Sequence, residues 1–196
     1  MFVQVIKGRT TDAASLERQM EQWRDELKPG ATGFLGSTMG TADDGTFIAF
    51  ARFADAAAAK ANSDRPEQDT WWQATAKYFD AEPTFRESTD VSTLLEGGSN
   101  TAGFVQVMEG TVTDRARVEA LETPEMLEQL RAARPDLIGA LRVWFDGGAY
   151  AEVAYFTSEE EARKGESSAE FTEPMEEYGS LFGEMTYTDL RRPLLD

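Results

Sequence analysis

The tetrapeptide FVQV occurs twice in this chain, at residues 2–5 and again at residues 104–107. The match continues past the tetrapeptide, because FVQVIKGRTTDAASLE (2–17) aligns with FVQVMEGTVTDRARVE (104–119) at an offset of 102 residues. A repeat of about 100 residues is too long for a solenoid unit and has the length of a domain. The chain is therefore constrained to fold as two copies of one architecture.

The repeat extends over most of the chain. FIAFARF (47–53) aligns with YAEVAYF (150–156) at an offset of 103 residues, so that only short insertions and deletions separate the two copies. Between the copies lies EGGSNTAG (96–103), which has the Gly, Ser and Asn content of a linker. The sequence predicts a first domain over 1–95 and a second domain over 104–196.

Each half predicts the same order of elements. A short β-branched strand opens the first half, and Asp12 then offers an N-cap for an amphipathic helix. The Asp-Gly pair in ADDG (42–45) predicts a hairpin, and Pro66 opens a further helix. TFRESTDV (84–91) closes the first half as a strand, and MTYTDL (185–190) closes the second. The predicted order in each half is β-α-β-β-α-β.

That order is typical of a ferredoxin-like α+β domain, whose antiparallel sheet carries helices on one face. The other face would stay bare in a single domain. We therefore expect two tandem ferredoxin-like domains whose sheets pack face to face within one chain. A strand between two layers is apolar on both sides, so Val3 and Val5 should point one way and Gln4 and Ile6 the other.

Charge and composition exclude several classes of function. The chain has 36 acidic and 19 basic residues, a net charge of −17, which disfavours nucleic acid and anionic membranes as partners. It has no cysteine and no histidine, which rules out disulfides, a cysteine nucleophile and a Ser-His-Asp triad. Without a signal-peptide pattern or an apolar run of ~20 residues, we expect a cytoplasmic protein.

Three segments carry a family resemblance. They are the opening strand FVQVIKG (2–8), the hairpin GFLGSTMGTADDGTFIAFARF (33–53) and PEQDTWWQATAKYFDAEPTF (66–85). With these segments the sequence resembles the dimeric α+β barrel superfamily and, within it, the antibiotic-biosynthesis-monooxygenase group. The likeness occurs once per half and is stronger in residues 1–95. Family members pair two chains into the barrel, which implies that this chain forms an intramolecular dimeric α+β barrel, as a monomeric pseudo-dimer or a homodimer of it.

The resemblance also implies a cavity between each sheet and its helices. In such families the cavity holds an aromatic polyketide, a quinol or haem, and some members oxygenate the substrate without metal or flavin. Haem-degrading members use a histidine ligand, which this chain lacks, so we expect no cofactor and no metal. The implied partner is a small aromatic or apolar molecule.

Three residues of the first half are the candidate catalytic residues: Asn62, Trp72 and Tyr78. In the family, Asn, Trp and Tyr side chains orient oxygen and the ring substrate. Each residue also has a structural interpretation. Asn62 fits a helix C-cap, Tyr78 fits a core position, and two adjacent tryptophans cannot share one helix face.

The candidate substrate-binding residues are Gln4, Trp23, Arg52 and Trp71. Gln4 and Gln106 occupy the same place in both halves, and a polar amide within an apolar strand needs a partner. That partner is either a ligand or the amide of the other half. Arg52 in FIAFARF could bind a carboxylate or a phenolate, or could lie at the sheet edge in solvent. In the second half the matching helix, AEFTEPMEEYGSLF (169–182), has fewer aromatic and more acidic residues.

Three functions remain open on this sequence. The first is a cofactor-independent monooxygenase, or a related isomerase or cyclase, acting on an aromatic or quinone-like substrate. Asp69 or Asp80 could act as its base if buried. The second is a carrier or sensor that binds a small apolar ligand without catalysis. The third is a scaffold in which the aromatic side chains fill the core completely.

Overall fold

The computed structural model describes residues 1–168 and 173–196, so the first four residues of the segment 169–182 lie outside the described part. The chain forms two compact units. The first contains Met1–Asp90 together with Arg192–Asp196, and the second contains Val91–Arg191. The prediction of two α+β units with ferredoxin-like order is confirmed, and each unit contains one five-stranded antiparallel sheet.

The first unit follows the predicted order and gains one edge strand. Its central strand β1 (Phe2–Arg9) pairs on one side with β3 (Thr46–Phe53) and on the other with β4 (Thr84–Ser88). The C-terminal strand Leu194–Leu195 pairs with the opposite edge, at Thr38 and Met39 of β2. The elements are β1 (Phe2–Arg9), α1 (Ala13–Gln22), a π-helical turn (Trp23–Leu27), a 3-10 turn (Lys28–Gly30), β2 (Phe34–Thr41), β3 (Thr46–Phe53), α2 (Ala56–Ser63), α3 (Pro66–Thr75), a 3-10 turn (Ala76–Tyr78) and β4 (Thr84–Ser88).

The second unit repeats this plan, also with one additional edge strand. The strands of its sheet lie in the order β5 (Val91–Leu95), β7 (Leu137–Trp144), β8 (Ala149–Phe156), β6 (Phe104–Thr111) and β9 (Thr186–Leu190). The C-terminal strand of the chain, Leu194–Leu195, is β10. Pro124 begins a separate helix here, capped by the side chain of Thr123. The elements are β5 (Val91–Leu95), β6 (Phe104–Thr111), α4 (Arg115–Leu121), α5 (Pro124–Ala133), β7 (Leu137–Trp144), a 3-10 turn (Asp146–Gly148), β8 (Ala149–Phe156), α6 (Glu159–Ser168), α7 (Glu173–Ser180) and β9 (Thr186–Leu190).

The edges of the units differ from the expected boundaries. Residues 91–95 were expected to end the first domain, but β5 pairs along its length with β7 of the second unit. The expected linker 96–103 lies inside the second unit, between β5 and β6. Residues 192–196 join the first unit because β10 pairs with β2. Repeat alignment could not find β5 and β10, since both lie outside the β-α-β-β-α-β core that the two halves share.

Local sequence explains why the shared elements form. Asp12 and Asp114 lie 102 residues apart, and each accepts a hydrogen bond from the backbone N–H three residues later, which caps α1 and α4. Both β2 and β7 have a register shift at the same place, between Phe34 and Gly36 and between Leu137 and Gly139. Among the described residues, no helix has both the length and the apolar character needed to cross a membrane.

Candidate functional site

A small cavity lies against one face of the first sheet. Its volume is about 90 Å³, and the strand residues that line it alternate along β3, including Phe47, Ala49 and Ala51. Five of the seven predicted site residues border this cavity. They are Gln4, Trp23, Asn62, Trp71 and Trp72.

Most polar groups of these five residues are already bonded within the protein. The Trp23 indole N–H donates to Gln68 Oε1 at 2.7 Å, and the Trp71 indole N–H donates to the carbonyl oxygen of Gln19 at 2.9 Å. Asn62 Oδ1 accepts from Arg65 at 2.9 Å. Asn62 lies within the last turn of α2, and the C-cap of that helix is Asp64. The predicted capping role of Asn62 is therefore wrong.

The adjacent tryptophans border the same cavity, contrary to the expectation that one of them would face elsewhere. Their ring centroids lie 6.0 Å apart, and Trp72 also contacts Phe79 at a tilted angle and Phe85 edge to face. Consecutive side chains on a helix point in different directions. Two large rings can still both reach the cavity when they flank the side of the helix that faces the sheet. Together with Trp23, they fill much of the space that a ligand would need.

The other two predicted site residues, Arg52 and Tyr78, line neither this cavity nor a larger one in the second unit. Arg52 alternates with the cavity-facing residues of β3, and its Nη2 donates to the main-chain oxygen of Asp196 at 2.9 Å. Tyr78 ends a 3-10 turn, packs on the apolar cluster of the first unit, and accepts a hydrogen bond from Thr10 at its main-chain oxygen. Asp69 and Asp80, the proposed bases, are both exposed.

A much larger cavity lies in the second unit, whereas all the candidate site residues had been chosen from the first half. Its volume is about 620 Å³, within the range of pockets that bind drug-sized molecules. Apolar side chains form most of the wall, and a group of polar side chains from the sheet and from helix α7 forms another part of it. The apolar lining includes Leu94, Met108, Leu130, Leu137, Phe156, Phe182 and Met185.

Arg142 is the centre of the polar group. It pairs across β7 and β8 with Glu152, and its Nε donates to Glu152 Oε2 at 2.6 Å. Its Nη1 donates to Glu122 Oε1 at 2.5 Å and its Nη2 to the Tyr178 hydroxyl at 2.7 Å. The Tyr178 hydroxyl in turn donates to Glu122 at 2.7 Å. The Arg142 side chain is only 2% exposed, so these bonds form in a region of low dielectric.

Burial and charge fix the protonation of this network. Burial on its own would lower the pKa of Arg142, but Glu152, Tyr178 and Glu122 raise it above its ordinary value, so the guanidinium stays charged. Burial raises the pKa of the Tyr178 phenol more than the nearby Arg142 lowers it. At neutral pH Arg142 is therefore a permanent cation and Tyr178 a neutral phenol.

Tyr150 also lines the cavity and differs from the network residues in its hydrogen bonding. It is 1% exposed, and among the described residues its hydroxyl has no hydrogen-bond partner. Burial raises the pKa of this phenol, and the negative charge of Glu152 raises it further. Its ring packs against Trp144 and, edge to face, against Phe182 at 5.5 Å between centroids. The hydroxyl is thus a protonated donor without an acceptor.

The matching positions of the first unit are uncharged. Met39 and Ala49 pair across β2 and β3 at the register that Arg142 and Glu152 have across β7 and β8. Met20 and Glu122 are each the eighth residue after the helix N-cap. Thr75 precedes Phe79 by four residues, as Tyr178 precedes Phe182, and Phe79 packs on Phe47 as Phe182 packs on Tyr150. The duplicated frame therefore identifies Met20, Met39, Ala49, Thr75 and Phe47 as the counterparts of Glu122, Arg142, Glu152, Tyr178 and Tyr150.

One sequence signal could have found this network. Arg142 and Glu152 each interrupt an otherwise apolar strand, and both lie five residues from Gly147 in the turn. A hairpin folded about that turn places the two charges directly opposite each other.

The two repeated glutamines each bond a carboxylate on the neighbouring strand of their own sheet. Gln4 donates to Glu87 at 2.7 Å, and Gln106 donates to Asp189 at 3.0 Å. Neither predicted partner, a ligand or the other glutamine, accounts for these bonds.

Comparison with known proteins places the chain by fold. Neither a family model nor a curated protein matches the sequence. A solved protein from Fusobacterium nucleatum subsp. nucleatum, provisionally named a monooxygenase, is similar over 100% of this chain and 93% of its own, with a TM-score of 0.76 and 11% identity. A second provisionally named monooxygenase, from Lactobacillus acidophilus NCFM, gives 0.72 at 14% identity over 96% and 92%.

An anthrone oxidase-like protein is also similar, with a TM-score of 0.62 and 15% identity over 96% of this chain and 90% of its own. At these identities the likeness shows a shared fold. The resemblance predicted from the sequence is thereby confirmed at the level of fold. Within residues 1–168 and 173–196, no three Asp or Glu side chains converge as a metal site would require.

Proposed function

We propose that the second-unit cavity binds a small electron-rich aromatic molecule and oxygenates it with molecular oxygen. The observation that carries this proposal is the buried Arg142–Glu152–Glu122–Tyr178 network on the wall of a 620 Å³ cavity, at positions where the first unit is uncharged. Buried charges cost free energy and are maintained where they are paired or do chemical work. The names of the three structural neighbours support an oxidation as that work.

The chemistry begins with loss of a proton from the substrate. Glu152 lines the cavity, and Arg142 engages one of its carboxylate oxygens, Oε2. We assign the other oxygen, Oε1, as the base that takes a proton from an acidic ring methylene or phenol. The buried guanidinium of Arg142 then stabilises the resulting anion, which is a strong electron donor toward oxygen.

For a ring methylene the overall reaction is R₂CH₂ + O₂ → R₂C=O + H₂O. The anion donates electrons to O₂, and one oxygen atom forms a new bond to the ring carbon. The O–O bond then breaks, and the second oxygen atom leaves as water with the two hydrogens of the former methylene. The substrate supplies all of the reducing electrons, and protein groups supply positioning, a base and charge stabilisation.

The test is oxygen uptake at an electrode with anthrone, a hydroquinone and a naphthol as substrates. Wild-type protein should consume oxygen above the buffer blank, and Glu152→Gln should lose ~10²-fold or more of that rate, because general bases contribute about this much. Circular dichroism checks that the variant is folded. Glu122→Gln serves as the matched control, since Glu122 bonds the same arginine but is not assigned as the base.

Two further variants locate the activity. Asn62→Ala and Trp72→Ala alter the first-unit cavity, which the sequence favoured together with Tyr78. Rates near that of wild type in these two variants support the second-unit site. Loss of uptake in them, with full activity in Glu152→Gln, would move the reaction to the first unit. Binding of the substrates without uptake would instead identify a carrier.

A further inference from the structure

The Tyr150 hydroxyl is buried and has no partner among the described residues, a state that is unfavourable relative to a hydrogen-bonded hydroxyl. Phenylalanine packs equally well at this position, because the first unit has Phe47 there with the same edge-to-face contact to a phenylalanine. The aromatic ring therefore suffices for packing. The additional hydroxyl requires another explanation.

Tyr150 lines the large cavity. A Cβ atom placed on Gly110 would lie 3.0 Å from the main-chain oxygen of Glu184 and 3.3 Å from both the Tyr150 hydroxyl and Met185 Cγ, so these groups meet at one corner. Met185 and Tyr187 also line the cavity, and the Tyr187 hydroxyl contacts Met185 Sδ at 3.8 Å. Methionine is flexible, so a small rotation of Met185 can open the corner to a ligand atom.

The charges of the cavity limit what that ligand can be. Three arginines line it, and each is paired with a carboxylate: Arg134 with Asp136, Arg142 with Glu152, and Arg163 with Asp189. Glu122 and Glu166 add further negative charge close by. An anionic ligand would therefore find its cations already engaged, whereas a neutral ligand avoids this penalty.

We propose that Tyr150 determines specificity in the oxygenation assigned above, by donating a hydrogen bond to the oxygen of a neutral fused-ring ketone. This inference rests on the proposed function only in placing the substrate in the second-unit cavity. The ketone oxygen takes the corner beside Gly110, and the hydroxyl gains the acceptor that the protein does not supply. An acceptor on the substrate thus decides which apolar ring systems bind well.

The test is a binding experiment without oxygen, so that turnover cannot interfere. Equilibrium dialysis under nitrogen compares anthrone with 9,10-dihydroanthracene, which has the same three rings and no carbonyl group. Tyr150→Phe should weaken anthrone binding roughly 3- to 10-fold, the range of one hydrogen bond, and leave dihydroanthracene binding unchanged. The variant should unfold at no lower temperature than wild type, because it removes an unpaired buried group.

Tyr78→Phe is the matched control, because it also removes a phenol hydroxyl but Tyr78 lies in the first unit and lines neither cavity. It should leave the binding of both compounds unchanged. Equal loss of the two compounds in Tyr150→Phe, no loss of either, or no binding by wild type overturns the inference. Carbonyl-selective loss without any oxygen uptake would refute the oxygenase and retain the role of Tyr150. Oxygen uptake by wild type, together with an equal effect of Tyr150→Phe on the binding of both compounds, would support the oxygenase and refute the role of Tyr150.

Discussion

The two units share their strand order, their register shift and their helix caps, but they differ on the sheet face that borders the cavity. In the first unit the residues that line the cavity are uncharged, and the cavity is about 90 Å³. In the second unit they include an ionic network, and the cavity is about 620 Å³. Backbone hydrogen bonds and turn chemistry maintain the shared frame, whereas a few side chains determine what each unit can hold.

Helix side chains explain much of the difference in volume. Trp23, Trp71 and Trp72 crowd the first cavity, and Trp71 and Trp72 project from α3. Met175 stands 103 residues after Trp72, in α7 of the second unit, and has a smaller side chain. The tryptophans that suggested a ligand site in the sequence thus reduce the space that a ligand requires. Aromatic richness marks a packed cavity as readily as an open one.

The largest expected effect comes from breaking the network at its centre. Arg142→Met introduces the residue found at the matching position of the first unit. Alone it should destabilise the second unit by about 3–5 kcal/mol, because it leaves the buried carboxylates of Glu122 and Glu152 without their cation. Urea unfolding followed by circular dichroism measures this loss.

Replacing the whole network should have a much smaller effect on stability. The combination Glu122→Met, Arg142→Met and Glu152→Ala gives the second unit the side chains of the first, and Tyr178→Phe removes the hydroxyl that would lose its partners. We expect stability within about 1–2 kcal/mol of wild type, or above it, since apolar replacements of buried ion pairs are often neutral or stabilising. A combined variant as unstable as Arg142→Met would show that the two sheet faces are not interchangeable.

The next prediction concerns pH and tests the two buried phenols of the second unit, Tyr150 and Tyr178. Burial raises the pKa of Tyr150 and of Tyr178 above the ordinary value of 10.0. Above about pH 10 the unfolded chain releases phenolic protons that the folded unit keeps, so the unfolded state binds fewer protons and stability falls as the pH rises. Below that pH the two phenols contribute no pH dependence.

Each phenol can contribute up to about 1.4 kcal/mol per pH unit in that range. Unfolding free energies measured from about pH 8 to about pH 11 should therefore slope less steeply in Tyr150→Phe than in wild type. Tyr178→Phe should act in the same direction, because burial raises the pKa of its phenol as well. An unchanged slope in Tyr150→Phe would mean that its phenol ionises as readily in the folded unit as in the unfolded chain.

Sequence was sufficient for the elements that depend on local rules. The repeat, the Asp12 and Asp114 caps and the hairpin turns depend on neighbours in the chain, and they predicted the order of elements that the two units share. The edge strands β5 and β10 escaped prediction because each pairs with a partner distant in sequence, and five or fewer residues carry little periodicity.

The site was harder to predict for a different physical reason. Five predicted residues do border one cavity, because strand alternation and helix position are readable from sequence. Cavity volume is not readable in this way, since it depends on how bulky side chains from several elements fill one space. Arg52 illustrates the same limit: the register of β3 places it on the other sheet face, where it bonds Asp196.

The smallest expected effect tests what the units have in common. The Asp114 side chain accepts a hydrogen bond from the N–H of Arg117 at 3.0 Å, and Asp12 accepts one from Ser15 at the same distance. Asp114→Ala should lower stability by about 1 kcal/mol, the usual contribution of a helix N-cap. Asp12→Ala should act in the same direction, and neither variant should change oxygen uptake or ligand binding. Denaturation curves and uptake rates for the pair check this directly. If Asp114→Ala altered oxygen uptake while Asp12→Ala did not, the cap of α4 would affect the network through Glu122 at the C-terminal end of that helix. The shared backbone frame and the cavity side chains would then not be independent.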